Sequence, residues 1–170
     1  AEGLVYSNFE ELEFDIEEIK KRRNIKSAFG LDFGYINDPT AFICTLVDEE
    51  RKRLYIFDEH YEKGLLNDEI AKVIQKKGYS KEIITADSAE QKSIEEIRKA
   101  GIQRIRPARK GKDSVLNGIQ YVNQYQIIVH PRCSNLKIEL ENYCWEKDKN
   151  TNEYINKPVD EYNHLLDALR

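Results

Sequence analysis

The chain has 170 residues, of which 40% are hydrophobic and 34% charged: enough for one domain with a core, too few for two ordinary ones. Cys44, Cys133 and Cys144 are odd in number and form no CxxC pair, which argues against a disulfide framework or a thiolate zinc site and fits a reducing, intracellular setting. No apolar run approaches the roughly 18 residues a membrane span needs, and no signal-peptide pattern opens the chain, so a soluble protein is expected.

The net charge of −4 is unevenly spread. Residues 1–19 carry seven acids and no base; with those set aside, the balance of 27 basic against 31 acidic side chains turns to +3. Without a clear period, residues 1–25 read as a linker leading into a core that starts near Lys26, so the expected domain spans 26–170. The chain has no methionine, even at position 1, and "EYNHLLDALR" stops inside an apolar helical pattern. Both features point to a segment of a longer protein.

From there the elements follow in order. "SAFGLDFG" (27–34) is a short apolar strand; "TAFICTLVD" (40–48) and "RLYIFDEH" (53–60) are β-rich strands joined by the polar "EERK", which predicts an antiparallel hairpin. A helix capped by Asn67 follows, with Ile70, Val73 and Ile74 on one face and Gly78 as its stop. "EIITAD" (82–87) is the fourth strand. Ser88 and Gln91 form a capping box for a helix carrying Ile94 and Ile97, which ends at Gly101. "IQRIRP" is a fifth strand, Asp113 caps a helix with Leu116, Ile119 and Val122, and "QIIVHP" is the sixth strand. A helix runs from Ser134 through Leu136, Leu140 and Tyr143. "WEKDKNTNEYINKP" has the composition of an exposed hairpin, and Asp160 opens the last helix. A three-strand meander followed by alternating helices and strands predicts an α/β fold, a mixed sheet with helices on both faces.

Three aspartates stand out. Asp32 interrupts an apolar strand, where an unpaired charge is costly. Asp87 ends another strand, at the carboxyl edge where α/β sheets bind ligands. Asp167 lies three residues after His164, so a helix projects both from one side. Taken singly, Asp87 reads as part of a helix cap, Asp167 as a partner of Arg170, and His164 as a satisfied, partly buried imidazole. Together they read as an oxygen-rich site for magnesium or manganese, because carboxylates brought together repel one another unless cations or protons neutralise them. Two such ions about 4 Å apart catalyse phosphodiester hydrolysis.

Residues 98–112 hold Arg98, Lys99, Arg104, Arg106, Arg109, Lys110 and Lys112 with no acid. Two readings stay open for this stretch: phosphate contact, or a solvated surface loop. The "DFG" at 32–34 is also a kinase motif, but a glycine-rich loop and an HRD loop are missing.

With these residues in place, the chain resembles the nuclease domain of the large terminase subunit of tailed bacteriophages, the DNA-packaging motor. The matching stretches are "GLDFGYINDPTA" (30–41), "ITADSAE" (84–90), "KGKDSVLNGIQYVNQYQIIVHPRC" (110–133) and "YNHLLDALR" (162–170); "GLVYSNF" (3–9) resembles the start of the linker after that family's ATPase domain. The resemblance implies a ribonuclease H-like fold and a metal-dependent endonuclease that cuts concatemeric double-stranded viral DNA during genome packaging. Carried over, the catalytic and metal-binding residues are Asp32, Asp87 and Asp167, with His164 the additional residue of the final-helix motif, holding two Mg2+ or Mn2+ ions. Under the nuclease reading, the basic stretch is expected to contact DNA phosphates through Arg104, Arg106, Arg109, Lys110 and Lys112. The implied partners are double-stranded DNA, an ATPase domain in cis, the small terminase subunit and the portal protein, in the host cytoplasm. No GxxxxGK[ST] occurs, so no ATP hydrolysis is expected of this chain alone. Rival readings are another ribonuclease H-like nuclease, such as a junction resolvase or an exonuclease, and a catalytically weak DNA-gripping module. The 145–158 hairpin is expected near the site, limiting DNA access.

Overall fold

The computed structural model describes residues 2–109 and 111–170. Its centre is the expected meander of β2 (Ile25–Asp32), β3 (Thr40–Asp48) and β4 (Arg53–Glu62), antiparallel throughout. Four parallel strands complete a seven-stranded sheet: β5 (Ile84–Ala86) and β6 (Ile105–Pro107) beside β2, and β7 (Gln126–Val129) and β1 (Phe9–Glu11) beside β4. The order is β1-β7-β4-β3-β2-β5-β6. β3, in the middle of the sheet, is buried along nearly its whole length and reads as a near-continuous apolar run, as a strand covered on both faces must.

The two faces sort by strand alternation. Phe29, Leu31, Phe42, Cys44 and Leu46 face one core, closed by α2 (Asn67–Lys77) and α3 (Gln91–Lys99) through Ile70, Ile74, Ile94 and Ile97. Ala41, Ile43, Leu54 and Ile56 face the other, closed by α4 (Ser114–Val122), α5 (Ser134–Asn142) and α6 (His164–Leu169). Each fully buried Ile or Leu contributes about 1.5–3 kcal/mol of transfer free energy.

Several local expectations are corrected. The core begins well before Lys26: Val5 and Tyr6 are buried, β1 joins the sheet, and α1 (Ile16–Lys20), capped by Asp15, buries Ile19. A three-residue edge strand leaves too little pattern to show a period. Asn67 is the first residue of α2, not its cap: the Leu66 N–H donates to Glu69 Oε1 at 2.9 Å, while the Asn67 amide reaches Glu96. α3 starts at Gln91, whose side chain donates to the Ser88 carbonyl oxygen, so Ser88 makes no capping box. Among the described residues Asp113 supplies no side-chain cap to α4, and the last helix starts at His164, after Asp160. Gly78 closes α2 in the left-handed conformation (φ 89°), as expected. The hairpin of β8 (Trp145–Lys147) and β9 (Tyr154–Pro158) is present, its base bonded to the N-terminal segment through Trp145 N–H to Gly3 O at 3.0 Å. No helix among the described residues is long and apolar enough to cross a membrane.

Candidate metal centre

The parallel pairing of β2 with β5 sets the first two carboxylates side by side. Leu31 pairs with Ala86, and the Asp87 N–H continues the ladder to Leu31 O at 3.2 Å. Asp32 and Asp87 therefore leave adjacent strands at the same carboxyl-terminal edge, half-buried. Both belong to the alternation that faces the α4–α5–α6 side, since Leu31 and Ala86 face the other core. Asp87 Oδ1 also accepts the Ala89 N–H at 3.0 Å, the capping-type contact expected of it alone.

Asp167 arrives on α6. Leu165 and Leu166, both fully buried, press this helix onto β2 and β3. Gly30 permits the approach: a Cβ there would collide with the carbonyl oxygen of Ala168. At the far end of the helix, Arg170 pairs with Asp167 and donates to the hydroxyls of Tyr6 (3.2 Å) and Tyr143 (3.3 Å), its guanidinium lying over the Tyr143 ring.

Asp32, Asp87 and Asp167 line one cleft of about 490 Å³, with Arg109, Lys112, Asn117 and Arg170 on its walls. Among the described residues no three His, Cys, Asp or Glu side chains stand close enough to hold an ion between them as they are. The donor set still fits a hard divalent cation: three carboxylates, all oxygen ligands, in a space with room for water to complete an octahedron.

His164 is not among the cleft-lining residues. It lies 3.9 Å from Asp38 Oδ1 and edge-on to the Tyr61 ring. Asp38 belongs to the 33–39 loop, in which Gly34 is obligatory because a Cβ would meet the backbone of Asp38 and Pro39. Of the five basic residues expected on DNA, Arg109 and Lys112 line the cleft, and Arg106 lines an adjoining cavity. Arg104 donates to the Lys81 carbonyl oxygen, and Lys110 lies outside the described residues. The cleft walls formed by the described residues include none of 145–158.

Two residues of this region went unread in the sequence. One is Arg170, seen only as a possible partner of Asp167. The other is Glu139, 2% exposed on α5, whose carboxylate accepts the N–H groups of Leu165 (3.2 Å) and Leu166 (3.0 Å). Burial pushes its pKa up to about 7, against the pull of those N–H donors and with a further push from Glu59. A signal was available: Glu139 occupies the apolar face of α5 between Leu136 and Leu140, the same anomaly that drew attention to Asp32.

Residues 32–170 match the family described as the terminase RNase H-like domain. The chain is 36% identical over 156 residues to the terminase large subunit of Bacillus phage SPP1, covering 90% of this chain and 36% of that protein. It is 27% identical over 184 residues to the terminase large subunit of Escherichia phage T5, covering 41% of that protein. The chain thus spans well under half the length of these curated relatives. The crystal structure of the SPP1 large terminase nuclease domain, with bound Mn, superposes with a TM-score of 0.87 at 34% identity, covering 97% of this chain and 94% of that one. A large terminase from a thermophilic bacteriophage shares the fold at a TM-score of 0.72 and 22% identity, with this chain covering 44% of it. Sheet order, the helices on both faces and the extent of these matches agree: the chain belongs to the terminase RNase H-like nuclease domain family.

Proposed function

We propose that this chain is a divalent-metal-dependent endodeoxyribonuclease that cuts concatemeric double-stranded viral DNA during genome packaging. The observation that carries the reading is the arrival of Asp32, Asp87 and Asp167, from two strands and a helix, in one cleft walled by Arg109 and Lys112. The three carboxylates would hold two Mg2+ or Mn2+ ions. When bound, such ions supply Lewis acidity toward the phosphodiester and a water of lowered pKa.

The chain's own side chains do the rest. Arg109 and Lys112 attract the DNA backbone to the cleft wall, with Arg106 beside it and Lys110 and Arg104 extending the basic stretch; such contacts fix register without reading sequence. Arg170 holds Asp167 against its helix, and Asp167 must share or leave that partner to act as a ligand. His164, held beside Asp38, is the residue we assign to orienting water at the edge of the site. The likeness to the longer terminases of SPP1 and of the thermophilic bacteriophage supports an ATPase domain in cis. By family, the small terminase subunit and the portal protein are the other partners, and the host cytoplasm is the setting.

The test is nicking of supercoiled plasmid in Mn2+ or Mg2+, with linear and branched DNA alongside. Nicking that disappears in Asp32→Ala supports the reading. Parent protein that binds DNA without cutting it makes the chain a gripping module instead, and a marked preference for branched or end-bearing substrates makes it a resolvase or an exonuclease.

A further inference from the structure

Asp167 sits on a six-residue helix, too short to hold its position by its own hydrogen bonds. The first N–H groups of such a helix have no partner inside it. In α6 they are met from another helix: Glu139 of α5 accepts from Leu165 and Leu166, one carboxylate oxygen each. A buried carboxylate is retained only where such donors surround it.

α5 is held in the same manner. Glu59 of β4 accepts the N–H groups of Asn135 (3.1 Å) and Leu136 (2.9 Å) and the Asn135 side-chain amide (2.8 Å) at the start of α5. Glu59 can face this side because β4 carries a bulge. Cys44 pairs with Asp58 and Thr45 with Ile56, so Phe57 is the extra residue of the bulge. Before the bulge, Leu54 and Ile56 face the α5 side; after it, the phase flips. Glu59 then takes that side, and Asp58 turns to Lys77 and Tyr79 on the other.

We propose that Glu59 and Glu139 are positioning residues of the metal centre: two carboxylate caps in series that seat α5 on the sheet and α6 on α5, and so fix where Asp167 enters the cleft. This rests on the metal-dependent nuclease reading above. Neither residue lines the cleft, so each acts through the helix it caps.

The experiment measures Mn2+ affinity of the 170-residue chain by calorimetric titration, together with amide hydrogen exchange. The variants are Glu139→Ala, Glu139→Gln, Glu59→Ala, Asp32→Ala, Asp167→Ala and the control Asp48→Asn. Asp48 is fully buried and accepts from the Arg51 backbone N–H and guanidinium at the opposite end of the sheet, so its loss is structural alone. Glu139→Ala is expected to weaken Mn2+ binding about 10-fold or more, the usual effect of losing a residue that orients a ligand. Exchange should accelerate at Leu165 and Leu166. Glu139→Gln keeps one acceptor oxygen and should recover part of the affinity, Glu59→Ala should act in the same direction as Glu139→Ala, and Asp48→Asn should lower only the melting temperature. Unchanged affinity in Glu139→Ala, alongside a loss in Asp167→Ala, overturns the positioning role and leaves the metal reading standing. Unchanged affinity in both Asp32→Ala and Asp167→Ala overturns the metal reading and the positioning role together.

Discussion

The candidate site joins carboxylates of two kinds. Asp32 and Asp87 are carried by paired strands, and their separation is a consequence of the β2–β5 register, hydrogen-bonded residue by residue. Asp167 is carried by a short helix whose place depends on a glycine, two buried leucines, a capping carboxylate and one arginine. A strand residue cannot shift without breaking a ladder of bonds. A residue on α6 can shift if any one of its few anchors goes. The strand half of the site is therefore the rigid half, and the helix half is where substitutions remote from the cleft should reach the chemistry.

Direct removal of a carboxylate should have the largest effect. In Asp32→Ala, metal-dependent nicking should fall to background in the plasmid assay, because the cleft loses one of its three carboxylates. Comparing Gly30→Ala with Gly64→Ala sharpens the contrast. A Cβ at 30 meets the Ala168 carbonyl, so α6 must move. At 64 the space is open and only the left-handed backbone (φ 78°) is strained. Gly30→Ala should cost about 1–3 kcal/mol of overpacking and lose Mn2+ binding. Gly64→Ala should cost about 1–2 kcal/mol and keep it. Equal Mn2+ affinity in the two variants would show that α6 tolerates displacement and end the comparison.

Core truncations on the two faces give a finer version. Ile94→Ala empties the α3 side and Leu166→Ala the α6 side, and both residues are fully buried. Each should cost about 2–5 kcal/mol in denaturant unfolding. Only Leu166→Ala should also weaken Mn2+ binding, at temperatures where both variants are folded.

How far the sequence foretold this molecule depends on the kind of bond involved. The meander and the alternating half were legible because apolar runs and turn residues recur in phase with their elements, and Asp32 was legible because a charge breaks such a run. The β1 edge was not: Phe9 is followed by Glu10 and Glu11, and pairing with the far-off β7 leaves no local trace. The start of α6 was misread because its cap comes from elsewhere in the chain: Glu139 does what Asp160 was expected to do. The hairpin was legible as a hairpin, but its tie to Gly3 was not. His164 was grouped with Asp167 from their spacing of three, yet its ring turns toward Asp38 and Tyr61 instead of into the cleft.

The smallest effect expected is the dependence of stability on pH through Glu139. Burial raises its pKa in the folded chain from about 4.5 to about 7; the Leu166, Leu165 and His164 N–H groups oppose the shift, and the Glu59 charge from β4 adds to it. The folded state therefore holds this proton more tightly than the unfolded chain. The stability linked to the protonated form is fully present below pH 4.5 and is lost as pH rises through 7, by up to about 3 kcal/mol if the shift is fully expressed. Chemical unfolding of the parent should show this fall between about pH 4.5 and 8, superimposed on the opposite trend of carboxylates favoured as anions. Glu139→Gln cannot ionise, so the difference in unfolding free energy between variant and parent should change with pH in the variant's favour. A difference that stays flat across that range would mean the donors at α6 outweigh burial and Glu139 is already a carboxylate at the acidic end. The helix half of the site would then be anchored by a full charge, and closer in rigidity to the strand half than its few contacts imply.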